Sequence, residues 1–256
     1  MLWYKTWLET RWRFIAGLAL LICSASASVL TYPMTVKLLP LADSMQFAGP
    51  LGERVRETIE LSRTFDGYLW SHWVRQNFLN LWTLFAVLLG AGGLVSRESG
   101  GGLFTMSLPV SRETILTSRV LTGLAELLAL ALVPSLIVPI LAASIGERYG
   151  FGDSLVYGFC MFAAGAVFFS LAVLLSTQFA DIWRPLLIVL AVALVAATFE
   201  EVSRRVGSFG VGIFSTMSGG AYFAGGGLPW IGLLISMSIS AGLLFVASLN
   251  FSRRDF

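Results

Sequence analysis

The sequence carries little charge. Only 12% of its 256 residues are Asp, Glu, Lys or Arg, whereas 56% are apolar and the mean hydropathy is +0.80. Soluble domains usually carry about twice that charged fraction. A soluble core of this size could not bury so much apolar surface, so the surroundings of the folded chain must be largely hydrocarbon. The formal net charge of +2 is too small for the broad basic field that holds nucleic acid, and no nucleic-acid partner is expected.

Residues that carry catalysis are equally scarce. The chain has one histidine, His72, and its two cysteines, Cys23 and Cys160, lie inside apolar runs with no second ligand nearby. Its only lysines, Lys5 and Lys37, do not follow a glycine-rich turn, so the chain has no nucleotide-binding P-loop. No HExxH pair, paired carboxylates or Cys/His cluster is present. Neither an enzyme site, nor a metal, nor a cofactor held by this chain is expected.

Apolar runs of spanning length are what the sequence has in abundance. A transmembrane helix needs about 20 mostly apolar residues, and six runs approach that length. They predict an all-α membrane protein with one transmembrane domain over residues 1–256. The predicted spans are about 14–32, 77–95, 120–145, 155–179, 182–199 and 228–249.

The leading segment "MLWYKTWLETRWR" predicts an amphipathic helix that lies at the membrane interface and leads into the first span. At helical spacing, aromatic residues share one side and charged residues share the other. The aromatic side holds Trp3, Trp7 and Phe14, and the charged side holds Lys5, Glu9 and Arg13. A secretory signal peptide is the alternative, because the small residues "SASAS" follow the first apolar run.

The basic residues predict the orientation. With six spans both termini share one side, which receives nine of the 17 basic residues in about 49 loop residues, against eight in about 81 on the other side. Both termini are therefore expected in the cytoplasm, with the protein in the cell membrane. Residues 207–227 hold eight glycines and would make a poor lipid-exposed helix, so they predict a re-entrant or interfacial hairpin on the outer face before the sixth span.

Two features inside the predicted spans point to tertiary contacts. Small residues such as Ala163–Ala166 let helices approach closely, which predicts packing within the bundle or, alternatively, a dimer interface. Glu126 is the one acid inside a predicted span, and burying a carboxylate is costly. It is a candidate for a proton or substrate role; snorkelling to the interface, or pairing with Arg119 or with a neighbouring helix, is the structural alternative.

The polar insert "SRESGGGLFTMSLPVSRETILTSR", residues 96–119, interrupts the apolar runs between the second and third spans. Its glycines at 100–102 permit a sharp change of backbone direction, and Pro109 stops any helix before it. Ser111 is a good N-cap for the next helix, with Glu113 in the first turn. The insert therefore predicts a short, partly apolar helix across the cytoplasmic face, of the kind that binds a membrane surface or another protein.

The pattern "RESGGGLFTMSLPVSRETILTSRVLTG" resembles the signature region of the type-2 ABC exporter permeases. Members of that family have an acid near the end of the second helix, a glycine, an apolar stretch and a Pro-x-Ser-Arg segment. Here those positions are Glu98, Gly102, Leu103 to Leu108, Pro109, Ser111 and Arg112. The amphipathic leader, the six spans, the outer segment and the ending "SRRDF" are also similar, so the resemblance covers nearly the whole chain.

The resemblance implies that the insert is a coupling helix, which lies in a cleft of a separate ATP-binding subunit. The residues expected to contact that subunit are Arg97, Glu98, Gly102, Leu103, Phe104, Met106, Pro109, Ser111 and Arg112. ATP and magnesium would be bound by the partner subunit. A second copy of the chain, or a homologous permease, would complete the translocation pathway within the lipid.

Two other functions stay open on the residues alone. A proton-coupled secondary carrier or channel would use Glu126. A non-transport membrane protein, which anchors or assembles a complex, would need no pathway.

Overall fold

The computed structural model describes residues 2–43, 50–92, 111–179, 181–205 and 212–252. All regular structure in these ranges is helical. The elements are α1 (Leu2–Asp43), α2 (Pro50–Leu61), α3 (Phe65–Tyr68), a π-helix (Leu69–Phe78), α4 (Leu79–Gly90), α5 (Arg112–Ser144), α6 (Phe151–Ser176), α7 (Trp183–Arg205), α8 (Ile213–Met217), α9 (Gly220–Phe223) and α10 (Trp230–Ser252).

Five of the described helices, α1, α5, α6, α7 and α10, are long and apolar enough to cross a membrane. They coincide with the first, third, fourth, fifth and sixth predicted spans, and they are compatible with a multi-pass membrane protein. The first is much longer than predicted, because α1 continues past Pro33 and Pro40 instead of ending at Tyr32. Tertiary packing outweighs the prolines at this point: the Tyr32 ring lies 5.0 Å from that of Phe65 and 5.1 Å from that of Tyr68.

The predicted second span, 77–95, is not among these five helices. Its residues 93–95 lie outside the described ranges, and the rest falls on the end of the π-helix and on α4. Elements α3, π-helix and α4 run without a break over residues 65–90, and the Leu79 amide donates to the Val74 carbonyl, five residues back. His72, which the sequence placed in a loop, lies in this π-helix. The prediction missed the helix because the polar residues at 71–72 and 75–77 interrupt the apolar run.

Helix α6 lies at the centre and packs on α4, α5, α7, α8 and α10, while α1 packs on α4 and α5. Its small residues permit this. Ala163, Ala164 and Ala166 are buried, and a Cβ on Gly165 would overlap the fully buried ring of Trp82 in α4. Packing of this small-residue segment within the bundle is therefore confirmed.

The predicted leader helix forms the first turns of α1 and is continuous with the first candidate span. Trp3 and Trp7 are exposed, as an apolar side facing lipid would be. On the opposite side, Glu9 and Arg13 contact α5 and α4, and the Glu9 side chain is still 38% exposed. The division into two sides was predicted, and the protein partner of the polar side was not.

The described part of the predicted outer hairpin, residues 212–227, forms α8 and α9 with a turn at Ser218 and Gly219. Gly219 has a φ of 61°, in the left-handed region that favours glycine. Thr216, Met217 and Ser218 are buried, so the turn is shielded by protein. Residues 207–211 of the predicted hairpin lie outside the described ranges.

Candidate functional site

Five polar side chains meet where α1 and α5 begin and α4 ends. This polar cluster consists of Glu9, Thr10, Arg13, Arg119 and Glu126. The Thr10 hydroxyl donates to the Glu126 carboxylate over 2.5 Å, and the Arg119 guanidinium lies 3.6 Å from the Glu9 carboxylate. Arg13 donates to the main-chain carbonyl of Leu88, in the last turns of α4, over 3.1 Å. The cluster therefore ties three helices together at one end of the bundle.

Helical spacing aligns these residues. Arg119 and Glu126 are seven residues apart on α5, which is two turns, so they share one face. Glu9, Thr10 and Arg13 lie within about one turn of α1. The start of α5 is fixed by Ser111, whose hydroxyl oxygen accepts from the Thr114 amide over 3.3 Å, with Glu113 in the first turn. The N-cap predicted at Ser111 is thus confirmed.

Three of the five members of the cluster are almost closed to solvent. Thr10, Arg119 and Glu126 are 3%, 7% and 5% exposed, whereas the Glu9 side chain is 38% exposed. The two arginines and two glutamates of the cluster balance in formal charge, which favours the burial of Arg119 and Glu126. Hydrogen bonding is less complete: among the described residues, Arg119 Nε and Glu126 Oε2 have no partner. The site can therefore hold helices in register, and one carboxylate oxygen stays available for a proton or a polar ligand.

Gly92 closes the cluster on the α4 side. A Cβ at this position would overlap the Arg13 guanidinium and crowd that of Arg119. The chain leaves the described structure just after Gly92 and re-enters it at Ser111. We call this end of the bundle, where α4 ends and α5 begins, the insert end.

The other predicted site residues of the insert lie outside the described ranges. They are Arg97, Glu98, Gly102, Leu103, Phe104, Met106 and Pro109. Ser111 and Arg112 begin α5. Glu126 lies 14 residues beyond Arg112, about 21 Å along the helix. The structure thus joins Glu126 with α1, and separates it from the described residues of the predicted coupling segment.

Sequence reasoning found Glu126 but missed Glu9, Thr10 and Arg13 as members of its site. The helical spacing that placed Glu9 and Arg13 on one side was visible. The sequence does not show that α1 and α5 are neighbours, which places Thr10 against Glu126 and Glu9 against Arg119. Of the two interpretations of Glu126, pairing with a neighbouring helix is the one that the structure shows, through Thr10.

The opposite end of the bundle holds tyrosines and acids. Tyr222 of α9 donates to Asp153 in the first turn of α6 over 2.6 Å, and this bond raises the pKa of Tyr222. The pKa of Asp66 is raised by partial burial and then by the carboxylates of Asp153 and Glu147. Within the described ranges, no group of three His, Cys, Asp or Glu side chains could hold a metal ion. We call this the tyrosine end.

A cavity of about 740 Å³ lies between the π-helix and α4 on one side and α7 on the other, with α8 along its floor. Most of its wall is apolar, and its charged lining residues are Arg75, Glu200 and Glu201. No pattern in the sequence predicts this cavity, because its walls come from three separate parts of the chain.

Comparison with known proteins identifies no relative: the chain matches no family model, no curated protein and no solved structure. The class that the fold defines is an all-helical bundle with five helices able to cross a membrane. Two candidate sites stand out in its described residues, the polar cluster at the insert end and the cavity beside α7.

Proposed function

We propose that the chain is the membrane-spanning permease subunit of an ABC exporter, driven by a separate ATP-binding subunit. The observation that carries this proposal is the position of Gly92 and Ser111, between which the chain lies outside the described ranges. Both lie at the end of the bundle where the polar cluster ties α1, α4 and α5 together. A partner that binds the insert would act on two helix ends at once, and through the cluster on a third.

The helix directions support a six-span arrangement. Residues 65–90 form an unbroken helical segment, of which residues 69–90, about 30 Å long, can serve as the second crossing. With it, α1 begins and α10 ends on the same side of the bundle. By the distribution of basic residues, that side is the cytoplasm, and the membrane is the cell membrane.

The polar cluster suggests how motion would spread. The Thr10–Glu126 and Glu9–Arg119 contacts would make α1 follow α5, and the Arg13–Leu88 bond would make it follow α4. The two short helices α8 and α9, at the tyrosine end, would close the outer exit. A second permease chain, identical or homologous, would supply the other half of the pathway.

Complex formation tests the exporter proposal. The full chain, co-expressed with its ATP-binding subunit, should purify as a stable complex, and both Glu98→Arg and Phe104→Asp should abolish that complex. Charge reversal at Glu60, an exposed residue of α2, is the matched control and should leave the complex intact. If the complex survives both changes in the insert, the coupling-helix assignment is wrong.

A proton-coupled carrier or channel is the second candidate, because Glu126 Oε2 is buried without a partner among the described residues. Its test needs no ATPase. Proteoliposomes that contain only this chain should acidify under a pH gradient, as measured with an internal pH dye, and Glu126→Gln should remove that flux. An exporter permease alone should show no such flux, with or without the substitution.

A further inference from the structure

The cavity beside α7 extends to the depth of the membrane centre. Helix α7 is a candidate span over Trp183–Ser203, and its middle residue, Ala193, lines the cavity. On the facing wall, Asn80 follows Leu69, the first residue of the π-helix, by 11 residues, which is about 15 Å along the helix axis. Half of the hydrocarbon layer of a membrane is also about 15 Å thick. Asn80 and Ala193 therefore both lie near the middle of that layer.

The α4 wall of the cavity is polar at this depth. The Asn80 side chain is exposed, and it forms no hydrogen bond to another described residue. Thr83, one turn further along, also lines the cavity, and its hydroxyl donates to the Leu79 carbonyl over 2.7 Å. A carboxamide has two N–H donors and one acceptor oxygen, and leaving them unpaired in hydrocarbon is costly. The Asn80 side chain therefore needs a hydrogen-bonding partner that the described residues do not supply.

The same cavity extends to charged side chains toward the tyrosine end. Arg75 and Glu201 line it there, and about one-third of each side chain is exposed. Whatever else these two side chains contact, their exposed parts belong to groups that carry charge. Charged groups at membrane depth face a water-filled cavity or the interior of the bundle. The exposed parts of Arg75 and Glu201 therefore require water in this part of the cavity.

The size of the cavity is sufficient for a body of water. Its volume of about 740 Å³ has room for roughly 20 water molecules at about 30 Å³ each. Polar cavities of sufficient size hold water, whereas apolar ones stay dry. An acyl chain would fit the apolar α7 wall, but it would leave the Asn80 carboxamide without a partner.

We propose that this cavity is a water-filled vestibule between α4 and α7, which extends from Arg75 and Glu201 to Asn80 at the middle of the membrane. On the proposed function, the vestibule would be the outer part of the translocation pathway. Asn80 would then hydrogen-bond to a polar group of the transported molecule. The presence of water does not depend on that function, because it follows from Asn80 and the cavity alone.

Reaction of introduced cysteines with water-soluble thiosulfonates tests the proposal. The full chain, with Cys23→Ser and Cys160→Ala to remove the native thiols, is placed in lipid nanodiscs, where reagent reaches both faces of the membrane. Asn80→Cys and Ala197→Cys each put a thiol on one of the two walls of the cavity. Ala191→Cys is the matched control, because Ala191 is an exposed residue of α7 that does not line the cavity.

Both lining positions should react about 100-fold faster than Ala191→Cys, because the thiolate is the reactive form and a charge on a lipid-facing side is costly. The mass of the intact protein follows the reaction. A cationic and an anionic reagent are both used, and reaction with either one counts. Ala197→Cys adds only one sulfur atom, so its result counts even where Asn80→Cys fails to fold.

Slow reaction at either lining position of a folded variant would overturn the proposal, because one body of water touches both walls. A lipid chain or a second copy of the chain would then fill the cavity. Fast reaction at all three positions would also overturn it, since α7 would not face lipid on its outer side. The test uses no ATP-binding subunit, so a failure here is distinct from a failure of the exporter proposal.

Discussion

Helices α6 and α7 follow one another in the chain, have 26 and 23 residues, and are both apolar enough to cross a membrane. Their surroundings are opposite. In the most apolar stretch of each helix, 72% of α6 is buried within the protein, against 17% of α7. Hydropathy thus indicates which segments leave water, and it does not indicate which of them lie inside the bundle.

The two helices differ in what packs against them. Helix α6 carries Ala163–Ala166 and is approached closely by Trp82 of α4. Helix α7 presents large side chains to the outside, among them Leu187, Leu194 and Phe199, each more than 60% exposed. It also contains alanines, at 191, 193, 196 and 197, so small residues permit close packing of helices in lipid but do not by themselves decide which helix becomes central.

The largest expected effect comes from truncating one phenylalanine in each helix. Phe168 of α6 is 2% exposed and its ring lies 5.3 Å from that of Phe214 in α8, whereas Phe199 of α7 is 71% exposed. Phe168→Ala should cost about 3–5 kcal/mol by leaving a cavity, and Phe199→Ala less than about 0.5 kcal/mol. Thermal unfolding of the purified variants in the same detergent measures both. Similar losses would mean that α7 is covered in the protein as purified, for example by a second copy.

The second prediction adds one methyl group at two glycines. Gly165→Ala should cost about 1–3 kcal/mol, because the new Cβ overlaps the buried Trp82 ring. Gly242→Ala, on the open side of α10, should be neutral or stabilising by up to about 1 kcal/mol, since nothing lies within 4 Å of its Cβ. Melting temperature is again the measurement. A stable Gly165→Ala variant would show that α4 can move away from α6 at little cost.

Most of the helical architecture could be predicted from sequence. Five of the six predicted spans match helices able to cross a membrane, because an apolar run of about 20 residues is a local property. The second span matches poorly. Its helix begins before residue 77, in the π-helix, where polar residues such as His72 interrupt the apolar run from which the span was predicted. The small residues Ala163–Ala166 indicated close packing of α6. Nothing in the sequence of α7 indicated that this helix would be exposed.

The candidate sites were harder to predict. Glu126 stood out as an isolated acid in an apolar run, but its partner Thr10 is 116 residues away. The cavity beside α7 joins Arg75 to Glu201, which is 126 residues away, and Glu200 holds the start of α8, which is only 14 residues further on. Such contacts depend on which helices are neighbours, and one sequence does not contain that information.

The third prediction concerns the contact between the end of α7 and the start of α8. Glu200 binds two amides of α8, so Glu200→Ala should cost about 1 kcal/mol, as the loss of a helix cap does. The adjacent Glu201→Ala removes a partly exposed ion pair with Arg75 and should cost about 0–1 kcal/mol, at the lower end of that range in high salt. Protease sensitivity near residues 213–217, together with thermal unfolding, distinguishes the two. Equal sensitivity in both variants would contradict the anchoring role of Glu200.

The smallest expected effect is a pH dependence where α6 begins. The pKa of Asp66 is raised by partial burial and then by the charges of Asp153 and Glu147. A carboxyl with a raised pKa binds its proton more tightly in the folded state. Its contribution to stability is therefore greatest at low pH, and it falls as the pH rises from the ordinary pKa of an aspartate through the raised one. Asp153→Asn keeps an acceptor for the Tyr222 hydroxyl but removes one of the two charges.

The melting temperature of Asp153→Asn, relative to the unmodified protein, should therefore rise between pH 4 and pH 7. The rise should be small, because the Asp66 side chain is exposed, and it should shrink in high salt. Asp181→Asn, just before α7, is the matched control. The Asp181 carboxylate accepts from the amide of Arg184, and Asp181 is not one of the acids that raise the pKa of Asp66. Its melting temperature should show no such rise over this range. If both variants show the same pH dependence, the acids at the tyrosine end do not repel one another, and the two helices begin in equivalent electrostatic surroundings.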